Sequence, residues 1–228
     1  MSKGRCLGLV GGLGVGATIY YYKTLAEAHQ AQGRTMDCVI AHAETARVFE
    51  YVKAGDPTGL AEYLNTFLRR LKAAGAEIGV IPAVTPHYGL RELLAISPLP
   101  LVSMIEPLSA ELASHGANRV AVFGTRYSVE SGFFGLLQDI EFVRPRPDEV
   151  DFIHSTYEEL LRDGHGSEQQ HRNLTALAHT LRQRDGVDAI LLAGTDLSLL
   201  FNQTNTDFPH IDCAAVHLDA ILKNLLDR

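Results

Sequence analysis

Short apolar runs separated by longer amphipathic stretches set the pattern of this sequence. Apolar runs without alternation, bounded by glycine or charged residues, predict strands that are buried on both faces of a sheet. We predict such strands at 5–10, 37–41, 100–104 and 119–123, and inside the stretches 75–87 and 186–196. Helical spacing predicts helices at 17–31, 57–74, 90–95, 106–115 and 214–226, with two more around the turn at Asp163 and Gly164. Strands that alternate with helices favour a parallel sheet.

Two of these stretches echo each other. GAEIGVIPAVTPH (75–87) and GVDAILLAGTD (186–196) both start at a helix-ending glycine, continue as an apolar strand and end in small residues, a threonine and a polar side chain. Ala83 and Gly194 each lie eight residues after that glycine, which makes them equivalent positions. A second repeat aligns GLVGG (8–12) with AVFGT (121–125) at nearly the same offset.

The repeats indicate two pseudosymmetric, doubly wound α/β halves with parallel-rich sheets. We expect the first half to span 1–100, joined by the C-terminal helix 214–228, and the second half to span 101–213. Open parallel sheets bind ligands beyond the carboxyl ends of their strands. We therefore expect the site in the crevice between the halves.

Composition and charge narrow the class of partner. Of 228 residues, 46% are hydrophobic and 21% charged, which is typical of a globular chain, and the formal net charge of −7 argues against a general nucleic-acid binder. No apolar run approaches the roughly 20 residues of a membrane span, and the first residues enter a strand instead of a signal peptide. We expect a cytoplasmic protein that binds neither nucleic acid nor membranes.

The cysteines do not suggest a metal site or a disulfide framework. Cys6, Cys38 and Cys213 are odd in number and form no CxxC motif. We expect all three to be buried apolar residues and the protein to hold no metal.

The glycine-rich turn GGLGVG (11–16) leads from the first strand into a helix. Glycine allows close approach of a ligand, and a helix start offers free N–H groups to a carboxylate or phosphate. A plain tight turn is equally consistent with this pattern. The turn matches neither GxGxxG in register nor the Lys-Ser/Thr of a P-loop, so nucleotide binding is the least favoured alternative.

Five stretches together resemble the aspartate/glutamate racemase family. They are, in chain order, GGLGVGATIYYYKTL, IPAVTPHY, VFGTRYSVESGFF, LLAGTDLSLLF and IDCAAVHLDAI. The resemblance implies a cofactor-independent isomerase, homodimeric and metal-free, that acts on a small amino acid or dicarboxylate. In that family two cysteines flank the substrate α-carbon, one removing its proton and the other delivering a proton to the opposite face.

Both cysteine positions carry other residues here, Ala83 and Gly194. Neither side chain can transfer a proton, so ordinary two-thiol racemisation is not expected. His87 and Asp196, one beyond each echo strand, are the remaining acid/base candidates, with structural hydrogen bonding an equal alternative for both. The resemblance further implies that substrate carboxylates contact one group of residues, namely Gly11, Gly12, Arg47, Thr85, Thr125 and Thr195.

Three functions remain open at this point. The first is an isomerase in which His87 and Asp196 replace the thiols. The second is a one-face decarboxylase, lyase or hydrolase on the same scaffold, which needs a single proton donor. The third is a catalytically inactive homologue that kept the carboxylate pocket, and loss of both thiols favours it.

Overall fold

A computed structural model describes residues 4–226 and divides the chain into two compact units. The first unit runs to Ser103 and resumes at His217, and the second is Met104–Val216. The strands are β1 Leu7–Gly11, β2 Cys38–His42, β3 Ile78–Val80, β4 Arg119–Gly124, β5 Glu141–Phe142, β6 Ala189–Ala193 and β7 His210–Asp212. The helices are α1 Val15–Ala31, α2 Thr45–Ala54, α3 Pro57–Ala73, α4 Leu90–Ile96, α5 Ile105–Ser114, α6 Arg126–Glu130, α7 Pro147–Asp163, α8 Glu168–Asp185 and α9 Cys213–Leu226.

The sheet of the first unit has the order β2-β1-β3, with every pair parallel. Its central strand, β1, is buried along its whole length, as its continuous apolar run predicts. A single bridge from Gly79 to Leu101 extends the sheet beyond β3. The strand predicted at 100–104 is therefore reduced to one paired residue, because the prolines at 98 and 100 cannot donate to a ladder.

Helix α3 shows how the sequence builds this unit. Asp56 begins the helix by accepting the Gly59 N–H at 2.8 Å, and Pro57 occupies the first turn, where its missing N–H costs nothing. Four leucines then recur on one helical face and are fully buried beneath the sheet: Leu60, Leu64, Leu68 and Leu71. The helix thereby joins β1 and β2 into one core.

The second unit has the sheet order β5-β4-β6-β7, again all parallel. Thus β1 and β4 hold the same central place, and β3 and β6 lie beside them. After β3 and β6 the chain turns into 3₁₀ segments of equal length, Thr85–Gly89 and Thr195–Leu199. The predicted α/β class with parallel sheets is confirmed.

The two units differ in the element that follows the central strand. In the first unit this is α1, 17 residues long, whereas α6 in the second unit has only five residues. Gly132, Phe133 and Phe134 all have positive φ, which ends the helix and starts a 3₁₀ turn. The repeat that aligns GLVGG with AVFGT places Tyr20-Tyr21 on Phe133-Phe134, so at this point it aligns a helix interior with a turn. Strand β5 was not predicted from sequence.

Candidate active site

Backbone groups of the glycine loop after β1 are hydrogen-bonded within the protein. The Gly12 N–H donates to the Thr18 hydroxyl at 3.0 Å, and the Thr45 hydroxyl donates to the Gly12 carbonyl at 2.9 Å. The Gly11 carbonyl accepts from the Ala43 N–H at 2.8 Å. These bonds hold the start of α1 against the start of α2. A carboxylate at Gly12 would have to compete with Thr18 for the amide proton.

His87 lies in the 3₁₀ turn after β3, where its ring is buried. Its Nδ1 is 2.9 Å from the carbonyl oxygen of Ala83, one turn earlier. A ring nitrogen can only donate to a carbonyl, so Nδ1 carries a proton. The residue at the first thiol position thus orients the histidine through its main chain.

The remaining candidates of the first unit are Thr85 and Arg47. Thr85 begins the 3₁₀ segment and is buried. Arg47 lies in the first turn of α2, more than half exposed, where its guanidinium pairs with Glu50 at 2.6 Å and stands 5.7 Å from the Tyr51 ring centroid. Arg47 is thus a surface cation that already pairs with a carboxylate. A substrate carboxylate would have to compete with Glu50 for it.

In the second unit, the ring of Tyr157 covers Gly194. A Cβ added to Gly194 would stand 2.6 Å from Cζ and 2.9 Å from Cδ2 of that ring, well inside van der Waals contact. Gly194 itself has φ −140°, an extended backbone open to any residue, so the ring and not the main chain restricts this position. The space of a second-thiol side chain is filled by an aromatic ring from α7.

Tyr157 also contacts the acid/base candidate of this unit. Its hydroxyl donates to Oδ2 of Asp196 at 3.4 Å, and both side chains are buried. Burial, followed by the negative charge of Asp196, raises the pKa of the Tyr157 phenol well above its ordinary value near 10. The phenol therefore stays protonated across the range in which most enzymes work.

The two candidate site threonines of the second unit both begin helical turns. Thr125 caps α6, with its Oγ1 accepting the Ser128 N–H at 3.3 Å and standing 3.1 Å from the Ser128 hydroxyl. Thr195 is buried at the start of its 3₁₀ segment, and its carbonyl accepts the Ser198 hydroxyl at 2.7 Å. Capping accounts for part of the role of Thr125.

A second buried histidine of the first unit, His217, belongs to a closed network. Its Nε2 donates to the Val102 carbonyl at 2.9 Å, which leaves Nδ1 to accept from the Tyr21 hydroxyl at 3.2 Å. Burial, with a smaller contribution from His87, lowers the pKa of His217 to about 3. His217 is thus a neutral structural group at physiological pH.

The thiols are poor candidates for proton transfer. Cys6 and Cys213 are buried as predicted, whereas Cys38, on the edge strand β2, is only partly buried. Burial raises the pKa of Cys38 to about 11 and that of Cys213 well above its usual range.

Among residues 4–226 no cluster of three metal-ligating side chains occurs. In the same part of the chain, no helix is both long and apolar enough to cross a bilayer.

Sequence reasoning missed Tyr157. The residue lies on α7, 37 positions before Gly194, and nothing in its neighbourhood marks it as part of a site. The only available signal was indirect. A glycine at a position expected to carry a side chain implies that another group fills the space, but the sequence does not say which one.

Each unit is an α/β unit with an all-parallel sheet and a buried polar turn beyond the carboxyl end of one strand, which is where open parallel sheets usually bind ligands. The chain belongs to the Asp/Glu/hydantoin racemase family, whose model matches residues 10–221. A candidate Asp/Glu racemase from Yersinia pestis is 26% identical, with a TM-score of 0.79 over 96% of this chain and 98% of the other.

Two further structures share the fold at lower identity. Aspartate racemase from Picrophilus torridus is 20% identical, with a TM-score of 0.78 over 97% of this chain and 94% of that one. A liganded double mutant of arylmalonate decarboxylase is 12% identical, with a TM-score of 0.56 over 95% and 91% of the two chains. The fold is therefore shared by proteins named for different reactions.

Proposed function

We propose that this protein catalyses proton transfer at the α-carbon of a small amino acid or dicarboxylate, as a non-thiol member of its family. One observation carries the proposal: each unit has a buried titratable group just beyond a thiol position that holds no thiol. His87 follows Ala83, and Asp196 follows Gly194. We propose that these groups serve as the acid/base pair, without cofactor or metal.

His87 is suited to the role of base. The bond from Nδ1 to the Ala83 carbonyl fixes both tautomer and ring orientation, so Nε2 is the nitrogen that would accept a proton. Thr85 and Thr195, with Gly11, Gly12, Arg47 and Thr125, are the groups we propose for substrate carboxylates. Arg47 would have to exchange its Glu50 partner for a substrate carboxylate.

Incubation in D₂O with the L and D forms of aspartate, glutamate and other amino acids tests the proposal. Deuterium at the α-carbon, followed by NMR, is expected for at least one of them. His87→Gln should abolish this exchange. His29→Gln is a matched control, because His29 is also buried and also contacts, through Nδ1, a carbonyl one turn earlier, at 2.7 Å. Absence of exchange with every compound would contradict the proposal.

Two observations favour alternative functions. The absence of a proton-bearing side chain at both Ala83 and Gly194 suits a carboxylate-binding protein without turnover. Thermal stabilisation by dicarboxylates, without exchange, would support that function. The fold likeness to arylmalonate decarboxylase suits a one-face reaction, and loss of CO₂ from substituted malonates would support it.

We also propose that the protein is a homodimer, as the resemblance to the racemase family implies, and that it is cytoplasmic. Light scattering coupled to gel filtration measures the mass of the assembly against the 24.9 kDa of one chain. A mass of one chain at micromolar concentration would contradict the dimer.

A further inference from the structure

We propose that Tyr157 replaces the second thiol, with its phenol donating a proton to the substrate α-carbon and Asp196 holding that phenol in place. The inference rests on the proposed function and refines it: Tyr157 takes the place of Asp196 as the group that donates the proton, and Asp196 positions Tyr157. Its basis is the coincidence of two contacts made by one side chain. The ring fills the side-chain space of Gly194, and the hydroxyl reaches Asp196.

The position of the ring is set by α7. Tyr157 shares a buried helical face with Val150, Ile153 and Leu160, so the ring cannot leave without exposing that face. Its relative exposure is 6%. A rigid ring over Gly194 therefore holds a hydroxyl on the same side of β6 that a cysteine at 194 would serve.

The charge around the phenol decides the direction of transfer. Asp196 and Cys213 are the ionisable groups acting on it, and burial acts with them to hold the proton on oxygen. A phenol that resists ionisation is a poor base, but it can still protonate a carbanion, whose proton affinity is far higher. We therefore assign Tyr157 to donation and His87 to abstraction.

The step conserves atoms and charge. His87 Nε2 takes the α-proton and leaves an electron pair on the α-carbon, stabilised by the substrate carboxylate. The Tyr157 O–H bond then breaks as a C–H bond forms, leaving a tyrosinate. Water returns a proton to the tyrosinate, and His87 releases its proton to water, so no other reactant is consumed.

Asp196 is a positioning residue in this scheme. Its bond to the phenol is long, at 3.4 Å, so the hydroxyl can rotate away toward a substrate at small cost. Its charge keeps the phenol protonated between turnovers. Removal of that charge should therefore lower the pKa of Tyr157 without removing the donor.

The test compares four proteins in the D₂O exchange assay: wild type, Tyr157→Phe, Asp196→Asn and Tyr21→Phe. Tyr157→Phe keeps the ring over Gly194 and removes only the hydroxyl, and a loss in kcat of roughly a hundredfold or more is expected, with little change in KM. Tyr21→Phe is the control, because it also removes one hydroxyl from a buried tyrosine whose hydroxyl contacts another side chain, that of His217. It should retain exchange.

The pH profile of Asp196→Asn gives a second, independent measurement. The loss of activity at alkaline pH should begin at a lower pH in Asp196→Asn than in wild type, because the phenol ionises more readily without the negative charge of Asp196. This measurement decides the matter if Tyr157→Phe does not fold. Two results would contradict the assignment of Tyr157 as donor while leaving the proposed function in place. One is a Tyr157→Phe protein that folds and exchanges at the wild-type rate, and the other is an unshifted pH profile of Asp196→Asn. Absence of exchange in wild type overturns the proposed function with it.

Discussion

The ring of Tyr157 lies where a side chain on Gly194 would project. A cysteine cannot be restored at 194 while that ring remains. The contributions of Tyr157 and Gly194 to stability are therefore coupled, and a double-mutant cycle can measure that coupling.

The first prediction concerns this coupling. Gly194→Ala should destabilise the protein by about 1–3 kcal/mol, the usual cost of overpacking a core. In a Tyr157→Ala background the same change should cost little or should stabilise, because it fills part of the vacated space. Urea unfolding of the four members of the cycle measures the coupling. Equal costs in both backgrounds would show that the ring is not the obstacle.

The second prediction concerns the glycine loop. Gly12 and Gly33 both have positive φ, +84° and +64°, but only Gly12 is crowded. A Cβ on Gly12 would meet the Ala43 carbonyl oxygen and lie 2.7 Å from the His42 ring, whereas one on Gly33 would meet no heavy atom within 4 Å.

Gly33→Ala should therefore cost only the backbone strain, about 1–2 kcal/mol. Gly12→Ala should lower the free energy of unfolding by that strain and by about 1–3 kcal/mol more, because the added methyl group overpacks the loop. Chemical denaturation of both variants gives the two values. Similar losses at the two positions would mean that the loop yields to the added methyl group.

The third prediction is a pH dependence caused by His217. Its pKa is lowered to about 3 in the folded protein, against about 6.5 in the unfolded chain, so the unfolded chain binds the proton more readily below pH 6.5. This group makes stability fall with acidification, by roughly 1.4 kcal/mol per pH unit between about pH 6 and pH 3. His217→Gln keeps a donor for Val102 and an acceptor for Tyr21 but cannot titrate.

Unfolding free energies at pH 7, 6 and 5 should therefore decline less steeply in His217→Gln than in wild type. Carboxylates elsewhere titrate equally in both proteins, so the difference between the two slopes isolates His217. Parallel slopes would mean that His217 gains its proton without unfolding.

The fourth prediction concerns the thiols. At pH 8 the raised pKa values of Cys38 and Cys213 keep their thiolate fractions very low. Partly buried Cys38 should react with a disulfide reagent roughly tenfold or more slowly than a free cysteine, and Cys213 only after unfolding. Alkylation under native conditions should leave exchange activity unchanged. Inactivation matched to modification of one cysteine would point to a thiol mechanism after all.

Most of the regular elements, although not α2, α6, β5 or β7, were predicted from the sequence because local forces define them. Helix α3 carries its own start signal at Asp56 and Pro57 and its own buried stripe of leucines, so its predicted and observed bounds differ by one residue. Strand β5 was missed because two residues paired at a sheet edge leave no apolar run. Prolines likewise prevented a full strand around Leu101.

Prediction of the site was harder because its contacts join distant parts of the chain. The repeat located Ala83, Gly194, His87 and Asp196 at strand ends, where local pattern and topology agree. The ring that covers Gly194 comes from another helix, and its placement depends on how α7 packs. Patterns along a sequence do not contain that information.

Helix α9 imposes an order on how the molecule can be completed. Its residues from His217 onward belong to the first unit, where His217 bonds to Val102 and the Leu226 carbonyl accepts from Arg34 at 2.7 Å. These residues leave the ribosome only after all of the second unit has been synthesised. The first unit is therefore the first to be synthesised and the last to be completed. In a nascent chain, the surface of the first unit that packs against α9 must stay uncovered until Leu226 has been synthesised.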